Sequence, residues 1–353
     1  MSRCLRLSTL LATGVLAGAL LSPPGAAQAR DLTVISWGGT FQDAQRDLFF
    51  TPFATATGNK VVDDSWDGGI GILRTKTANG DGGWDLVEVE SEELELGCQE
   101  GIFQKLDVTR IGGKDAYLPG TVSECGVGAV IYNFVLGYDK NAVKGTPSGW
   151  GDFFDLAKFP GKRALRQGPK GNLEIALMAD GVAPADVYKV LGTPEGVDRA
   201  FKKLDSIKPQ LVFWKSGAQP GQMMSSGDVV MTSSYNGRLT NAINKDKKPF
   251  GIVWNESLQT VDSWVILSTS PHVDEAYKLL AFLGTPERQA KLPAYQPIGV
   301  TAVAAIPLVD PVLAKDLPST PANASNVLKI DDAFWIDHVD GLGERWTVWS
   351  AQK

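Results

Sequence analysis

Glu88, Glu90 and Glu92 recur at every second position at the end of a β-rich run, Trp84-Asp85-Leu86-Val87-Glu88-Val89. In an extended chain a period of two puts all three carboxylates on one face. There they either meet the cationic end of a ligand or form a solvated edge feeding the next helix; Glu92 and Glu93 also suit a helix's first turn. Arg238 directly follows Tyr235-Asn236-Gly237 at the start of an expected helix, and its planar fork suits a carboxylate held in bidentate fashion. Asp262 stands just before an expected strand, Ser263–Leu267, where a carboxylate suits an ammonium. Trp37 ends the first expected strand and offers a flat face to an alkyl chain or a cation. These are groups that bind.

Covalent chemistry has fewer materials. The chain holds two histidines, His272 and His338, far apart and without a nucleophile and base pattern around them. There is no Gly-x-Ser-x-Gly elbow and no His-Glu-x-x-His zinc site. Gly38-Gly39 and Gly68-Gly69 lack the Gly-Lys-Ser/Thr ending of a phosphate loop, and no adjacent tyrosine pair offers itself to iron. The sequence therefore predicts a binding protein with no cofactor and no metal rather than an enzyme. A net charge of −6 argues against nucleic acid, whose phosphates need a basic surface, and mildly favours a cationic ligand.

Arg3 and Arg6 precede the apolar run Leu10–Leu21, and Ala27-Gln28-Ala29 supplies a small-x-small pattern. That order predicts a secretory signal over residues 1–29 with cleavage after Ala29. Twelve apolar residues are too few to span roughly 30 Å of hydrocarbon, so no stable membrane insertion is expected and the mature chain is placed in the periplasm. Cys98 and Cys125 then remain in an oxidising compartment, where an even pair is most simply a disulfide; a metal pair is the alternative, but neither histidine is near in sequence. Strands at 32–36, 60–62, 84–89, 127–132 and 134–138 interleave with helices at 41–56, 69–78 and 91–99. A second series follows, with strands at 163–166, 229–232, 252–254 and 263–267 among helices near 150–155, 172–178, 195–207, 220–226, 237–244 and 273–283. Alternation of this kind predicts two βαβ-type units, and such sheets bind ligands beyond the carboxyl ends of their strands. Two units facing each other make a cleft that hinge closure can shut.

Six features in order carry a resemblance. Ser36-Trp37 ends the first strand, Gly83-Trp84-Asp85-Leu86-Val87 forms the third, and Ile131–Tyr138 leaves the first unit. Ser148-Gly149-Trp150-Gly151-Asp152-Phe153 starts a helix, Tyr235-Asn236-Gly237 starts another, and Val261-Asp262-Ser263 returns to the first unit. In this order they resemble the spermidine/putrescine-binding family of ABC-transporter periplasmic receptors. The resemblance implies an α/β, two-lobed type II periplasmic-binding-protein fold with a hinge and an interlobe cleft. It implies lobe one from residues 30–136 plus 262–303 and lobe two from 137–261 plus 304–353. It also implies a monomer that captures a polyamine and hands it to ABC permease subunits. By the same resemblance Asp262 grips the ligand's primary ammonium, Tyr235 stands where the family has tryptophan, and Trp335 lies in a late ligand-contacting segment. Two departures pull the other way. The family's second-lobe acidic pair has no counterpart in Gly168–Asn172, and Arg238 stands beside the site. Arg238 with Asp262 suits a zwitterion such as 4-aminobutyrate, so the ligand is expected to be a small organic cation or zwitterion bound among Trp37, Glu90, Tyr235, Arg238, Asp262 and Trp335.

Overall fold

The computed structural model describes residues 30–352, so the expected signal over residues 1–29 lies outside the described residues. Nine strands form one mixed sheet. They are β1 (Leu32–Ser36), β2 (Val61–Ser65), β3 (Leu86–Val89), β4 (Gly126–Asp139), β5 (Arg163–Arg166), β6 (Leu211–Trp214), β7 (Met231–Tyr235), β8 (Phe250–Ile266) and β9 (Leu328–Lys329). Their order is β2-β1-β3-β8-β4-β7-β5-β6, with β9 on β8. At one end β1 pairs in parallel with β2 and β3; at the other β5 pairs in parallel with β6 and β7. Each trio meets the centre through an antiparallel ladder, β3 on β8 and β7 on β4.

The centre is the pair β4 and β8, antiparallel from Gly126↔Val265 to Asp139↔Phe250. Sequence reading breaks each of these into two short strands, 127–132 with 134–138 and 252–254 with 263–267. The structure runs each as one long strand, and β4 and β8 slip register between Gly128 and Val130 and again between Phe134 and Leu136. Bulges of this kind interrupt a local pattern without ending the ladder, which is why short-range alternation sees two pieces. The boundaries expected between the lobes, at 136/137 and 261/262, fall inside these two strands.

Helices cover the sheet because their apolar spacing demands it. In the helix Pro194–Asp205, Val197, Ala200, Phe201 and Leu204 are buried, the i, i+3, i+4, i+7 stripe of an amphipathic helix, and Thr193 caps it by accepting from the Gly196 N–H at 3.1 Å. The helix Ser91–Gln99 starts with a reciprocal cap in which Glu90 is the N-cap residue and the Glu93 carboxylate accepts from the Glu90 N–H at 3.0 Å. This cap ends the extended chain at Glu90, so the period-two face does not continue to Glu92, which sits in the first helical turn. Among the described residues no helix is long and apolar enough to cross a membrane.

Cys98, late in that helix, is bonded to Cys125 just before β4, with Cα atoms 5.7 Å apart and a sequence separation of 27. Closing a loop of that length removes chain entropy from the unfolded state worth about 3–4 kcal/mol. The paired substitution Cys98→Ser and Cys125→Ser is expected to lower unfolding stability by about that amount, read by urea titration. A midpoint unchanged from wild type would show that the bond constrains nothing.

Candidate functional site

The carboxyl ends of β1 and β3 face those of β5 and β7 across the β4–β8 pair, and a cavity of about 50 Å³ open to the centre of a water-sized sphere lies between them. Its apolar walls are aromatic. Trp37 follows β1 directly and stacks on Trp66 with ring centroids 5.3 Å apart and planes 18° from parallel. Trp66 is held in turn by its Nε1–H, which donates to the Glu88 carbonyl at 3.1 Å. Opposite, Tyr235 ends β7 and packs on Tyr132 and Phe134 at centroid distances of 5.3 and 4.8 Å. Tyr132 also lines the cavity, and burial raises its phenol well above the ordinary range.

Three carboxylates line the same cavity: Asp67 is exposed to solvent, and the two buried ones, Glu90 and Asp262, differ in what they meet. Glu90 is buried and receives Arg166 Nη1 at 2.6 Å and Lys170 Nζ at 3.7 Å. Burial pushes its pKa up, but the two cations outweigh burial and hold it below the usual carboxylate range. Asp262, opposite Val130 in the β4–β8 ladder, is equally buried. Its Oδ1 has no hydrogen-bond partner among the described residues. Burial, and then the negative charges of Glu88 and Glu90, drive its pKa well above the ordinary value, against a hydrogen bond from Tyr132. One carboxylate is committed to cations and the other lacks one.

The cationic groups are equally distinct. Arg166 ends β5 and is spent on Glu90. Arg238, in the first turn of the helix Asn236–Asn244, donates through Nη2 to the carbonyls of Trp37 and Gly38, each at 3.2 Å. It thereby joins the β7 side of the cavity to the β1 side through neutral acceptors, with its charge uncancelled by direct pairing. The approach is close. A Cβ at Gly39, where φ is +59°, would lie 2.8 Å from Arg238 Nη1, so glycine serves there both for its φ and for its missing side chain. Beside this arginine the Trp37 indole N–H is buried and, among the described residues, without an acceptor.

Of the residues expected from sequence, the cavity brings together Trp37, Glu90, Tyr235, Arg238 and Asp262. Trp335 is a correction. It is fully buried away from the cavity, and its Nε1–H donates to Glu174 at 2.7 Å, a carboxylate that also accepts from Tyr188 at 2.9 Å. Glu92 pairs with Lys170 rather than pointing with Glu90. Arg166, Tyr132 and Trp66 were missed. For Arg166 a signal existed: it ends the expected strand Arg163–Arg166, and charged residues at strand carboxyl ends are the ones such sheets turn toward ligands. Among the described residues no group of three or more His, Cys, Asp and Glu side chains is placed to hold a metal ion.

Two sheet-edge units joined by long shared strands, with a small cavity of mixed charge between them, define a two-lobed solute-binding receptor of the periplasmic-binding-protein type. The chain belongs to the bacterial extracellular solute-binding protein family, whose model matches residues 49–320; such proteins bind small ligands and work with ABC permeases. It is 41% identical over 326 residues to a gamma-aminobutyric acid-binding protein of Pseudomonas aeruginosa, covering 92% of each chain. Among solved structures it resembles MotA from A. tumefaciens B6 in complex with glucopine, with a TM-score of 0.86, 29% identity and coverage of 91% and 100%. It also resembles the Atu4243-GABA receptor, with a TM-score of 0.81, 34% identity and coverage of 92% and 98%. The likeness to the spermidine/putrescine-binding PotD of Streptococcus pneumoniae, with a TM-score of 0.70, 18% identity and coverage of 91% and 100%, extends to the fold alone. The resemblance read from sequence is thus supported at the level of the solute-binding family and no further.

Behind the cavity, Glu88 accepts from Ser36 at 2.8 Å and Gln45 at 2.6 Å while fully buried. Burial pushes its pKa up to about 7 despite these two donors and the nearby Arg238. A carboxyl group raised in the folded state stabilises at low pH and loses that contribution as pH rises through its folded value. Relative to Glu88→Gln, the wild-type protein is therefore expected to lose up to about 3 kcal/mol of unfolding stability between pH 5 and pH 8. Urea titrations at the two pH values measure this, and a difference between the proteins that stays constant with pH refutes it.

Proposed function

We propose that this protein captures a small ω-amino acid, 4-aminobutyrate or a close analogue, and delivers it to the membrane subunits of an ABC importer. The observation that carries this reading is the pairing, on one cavity, of a buried carboxylate lacking a cation, Asp262, with a donor set lacking an anion, Arg238 and the Trp37 Nε1–H. A ligand with an ammonium at one end and a carboxylate at the other supplies both partners. Its short alkyl chain suits the rings of Trp37, Tyr132 and Tyr235. The printed names of two relatives, a gamma-aminobutyric acid-binding protein and a GABA receptor, support the same class. A diamine fits less well, because the second buried carboxylate of the cavity, Glu90, already holds Arg166 and Lys170, and Asp67 on the same lining is exposed to solvent.

In this reading residues 30–136 with 262–303 form one lobe and residues 137–261 with 304–353 the other. The ligand is taken up while they stand apart, and their closure over it follows from contacts it makes better with both lobes than with one. Export to the periplasm is supported by the leader expected over residues 1–29 and by the extracellular character of the family.

Thermal melting of the purified protein tests the ligand class. A ligand at a hundred times its dissociation constant adds about 2.7 kcal/mol to stability, so 4-aminobutyrate is expected to raise the melting temperature while putrescine and spermidine do not. Asp262→Ala and Arg238→Ala are each expected to weaken 4-aminobutyrate binding at least about a hundredfold in calorimetry, the usual loss when one half of a buried charge pair is removed. Stabilisation by the polyamines alone, or binding unchanged in both variants, overturns the reading.

A further inference from the structure

We propose that the Glu90–Arg166 ion pair is the selectivity element of the buried part of the cavity: each side chain cancels the other, so neither a second ammonium nor a second carboxylate on the ligand finds a buried partner there. Beyond Asp262 and Arg238, the remaining charges of the lining, Asp67 and Lys215, are exposed to solvent. The inference rests on the ω-amino-acid reading and adds to it the residues that reject diamines and amino dicarboxylates.

Both side chains line the cavity, and they meet at 2.6 Å with only 5% of Glu90 and 16% of Arg166 exposed. They come from opposite sides of it. Glu90 follows β3 and is fixed by its role as N-cap residue, its N–H donating to Glu93. Arg166 ends β5 in register with Trp214, and its guanidinium carbon lies 5.8 Å from the centre of the Phe134 ring. Behind them Lys170 pairs with Glu92 and stands farther from Glu90, at 3.7 Å. Arg166, Lys170, Glu90 and Glu92 thus form a neutral group. Removing one member leaves a buried charge without a counter-ion, a costly state, and the site then gains by taking that counter-ion from the ligand. Loss of Arg166 turns Glu90 into a seat for a second ammonium; loss of Glu90 turns Arg166 into a seat for a second carboxylate.

Calorimetry on the wild type, Arg166→Gln, Glu90→Gln and the double variant, with 4-aminobutyrate, putrescine and L-glutamate as probes, tests this. Melting curves establish beforehand that each variant is folded, and if one single variant is not, the other decides. Arg166→Gln is expected to raise affinity for putrescine relative to 4-aminobutyrate at least tenfold. Glu90→Gln is expected to raise affinity for L-glutamate relative to 4-aminobutyrate by a similar factor. The double variant is expected to show neither gain. Ratios that stay at wild-type values in the single variants, or gains that persist in the double variant, overturn the proposal while leaving the ligand class standing. Preference of the wild type for putrescine over 4-aminobutyrate overturns the ligand class itself.

Discussion

The cavity depends on one backbone constraint, the antiparallel ladder of β4 with β8. Both strands run through the two halves of the sheet, from Gly126↔Val265 beside β3 to Asp139↔Phe250 beside β7 and β5. Their register sets which side chains meet. Asp262 lies opposite Val130, and both line the cavity. A slip of one residue would turn every side chain of the strand to its other face and remove Asp262 from the site. Beside the first register shift, Gly128 sits where a Cβ would lie 2.8 Å from the Thr121 side chain and 3.0 Å from that of Thr301, so the packing of those two threonines on β4 needs glycine there. The parallel trios at the two ends then bring the carboxyl ends of β1 and β3 toward those of β5 and β7. The local sequence accordingly needs only strand-end residues of the right type.

Much of this is legible from the residues alone. Parallel β-strands alternating with helices follow from patterning, the strand-end rule singles out Trp37 and Glu90, and the family resemblance singles out Asp262, which the structure places inside β8. Other features depend on distant partners. The commitment of Glu90 to Arg166 joins positions 76 residues apart on different strand systems, and spacing within β3 contains nothing of it. Trp335 illustrates the opposite error. An aromatic side chain in a late segment looks like a wall of the cavity, yet its indole N–H is satisfied by Glu174, a buried carboxylate on the helix Asn172–Ala179. Buried indoles need an acceptor, and Glu174 provides one well away from the cavity. The extended reading of Glu88, Glu90 and Glu92 failed for a local reason, because the reciprocal cap between Glu90 and Glu93 starts a helix at Ser91, one residue before Glu92.

The burial of so many charges has an electrostatic logic. Glu90 is kept ionised by Arg166 and Lys170, and Lys170 by Glu92 and Glu90. Glu93, buried without a cation, has its pKa pushed up to about 8 by burial and by its acidic neighbours Glu92 and Glu90. Its hydrogen bonds are to backbone N–H groups of Gly69 and Glu90, and they give the buried carboxyl a structural task at the helix start. Asp262 differs in facing the cavity: burial, and then Glu88 and Glu90, raise its pKa, and its Oδ1 bonds to nothing among the described residues. A buried group left in that condition carries the full desolvation penalty.

That penalty bears on closure. Contacts joining the two sides of the cavity include Arg166 to Glu90, Lys170 to Glu92, Ser91 to Asp332, and Arg238 to the carbonyls of Trp37 and Gly38. They hold the sides together whatever lies between them, so as contacts they favour closure of the empty cavity as well as the filled one. In the closing, two-lobed reading proposed above, Asp262 works against closure, because shutting the cavity over it without a cation removes its carboxylate from water and drives its pKa up. An ammonium on Asp262 removes that opposition and adds a charge-assisted bond in a place of low dielectric. In the ω-amino-acid reading the ligand therefore shifts the balance chiefly by cancelling one unfavourable term. Its carboxylate supplies the second half of the discrimination at Arg238, where neutral carbonyls leave the charge available to an anion. A receptor arranged in this way couples closure to the presence of both ligand charges, since an amine alone leaves Arg238 without an anion and a carboxylate alone leaves Asp262 without a cation.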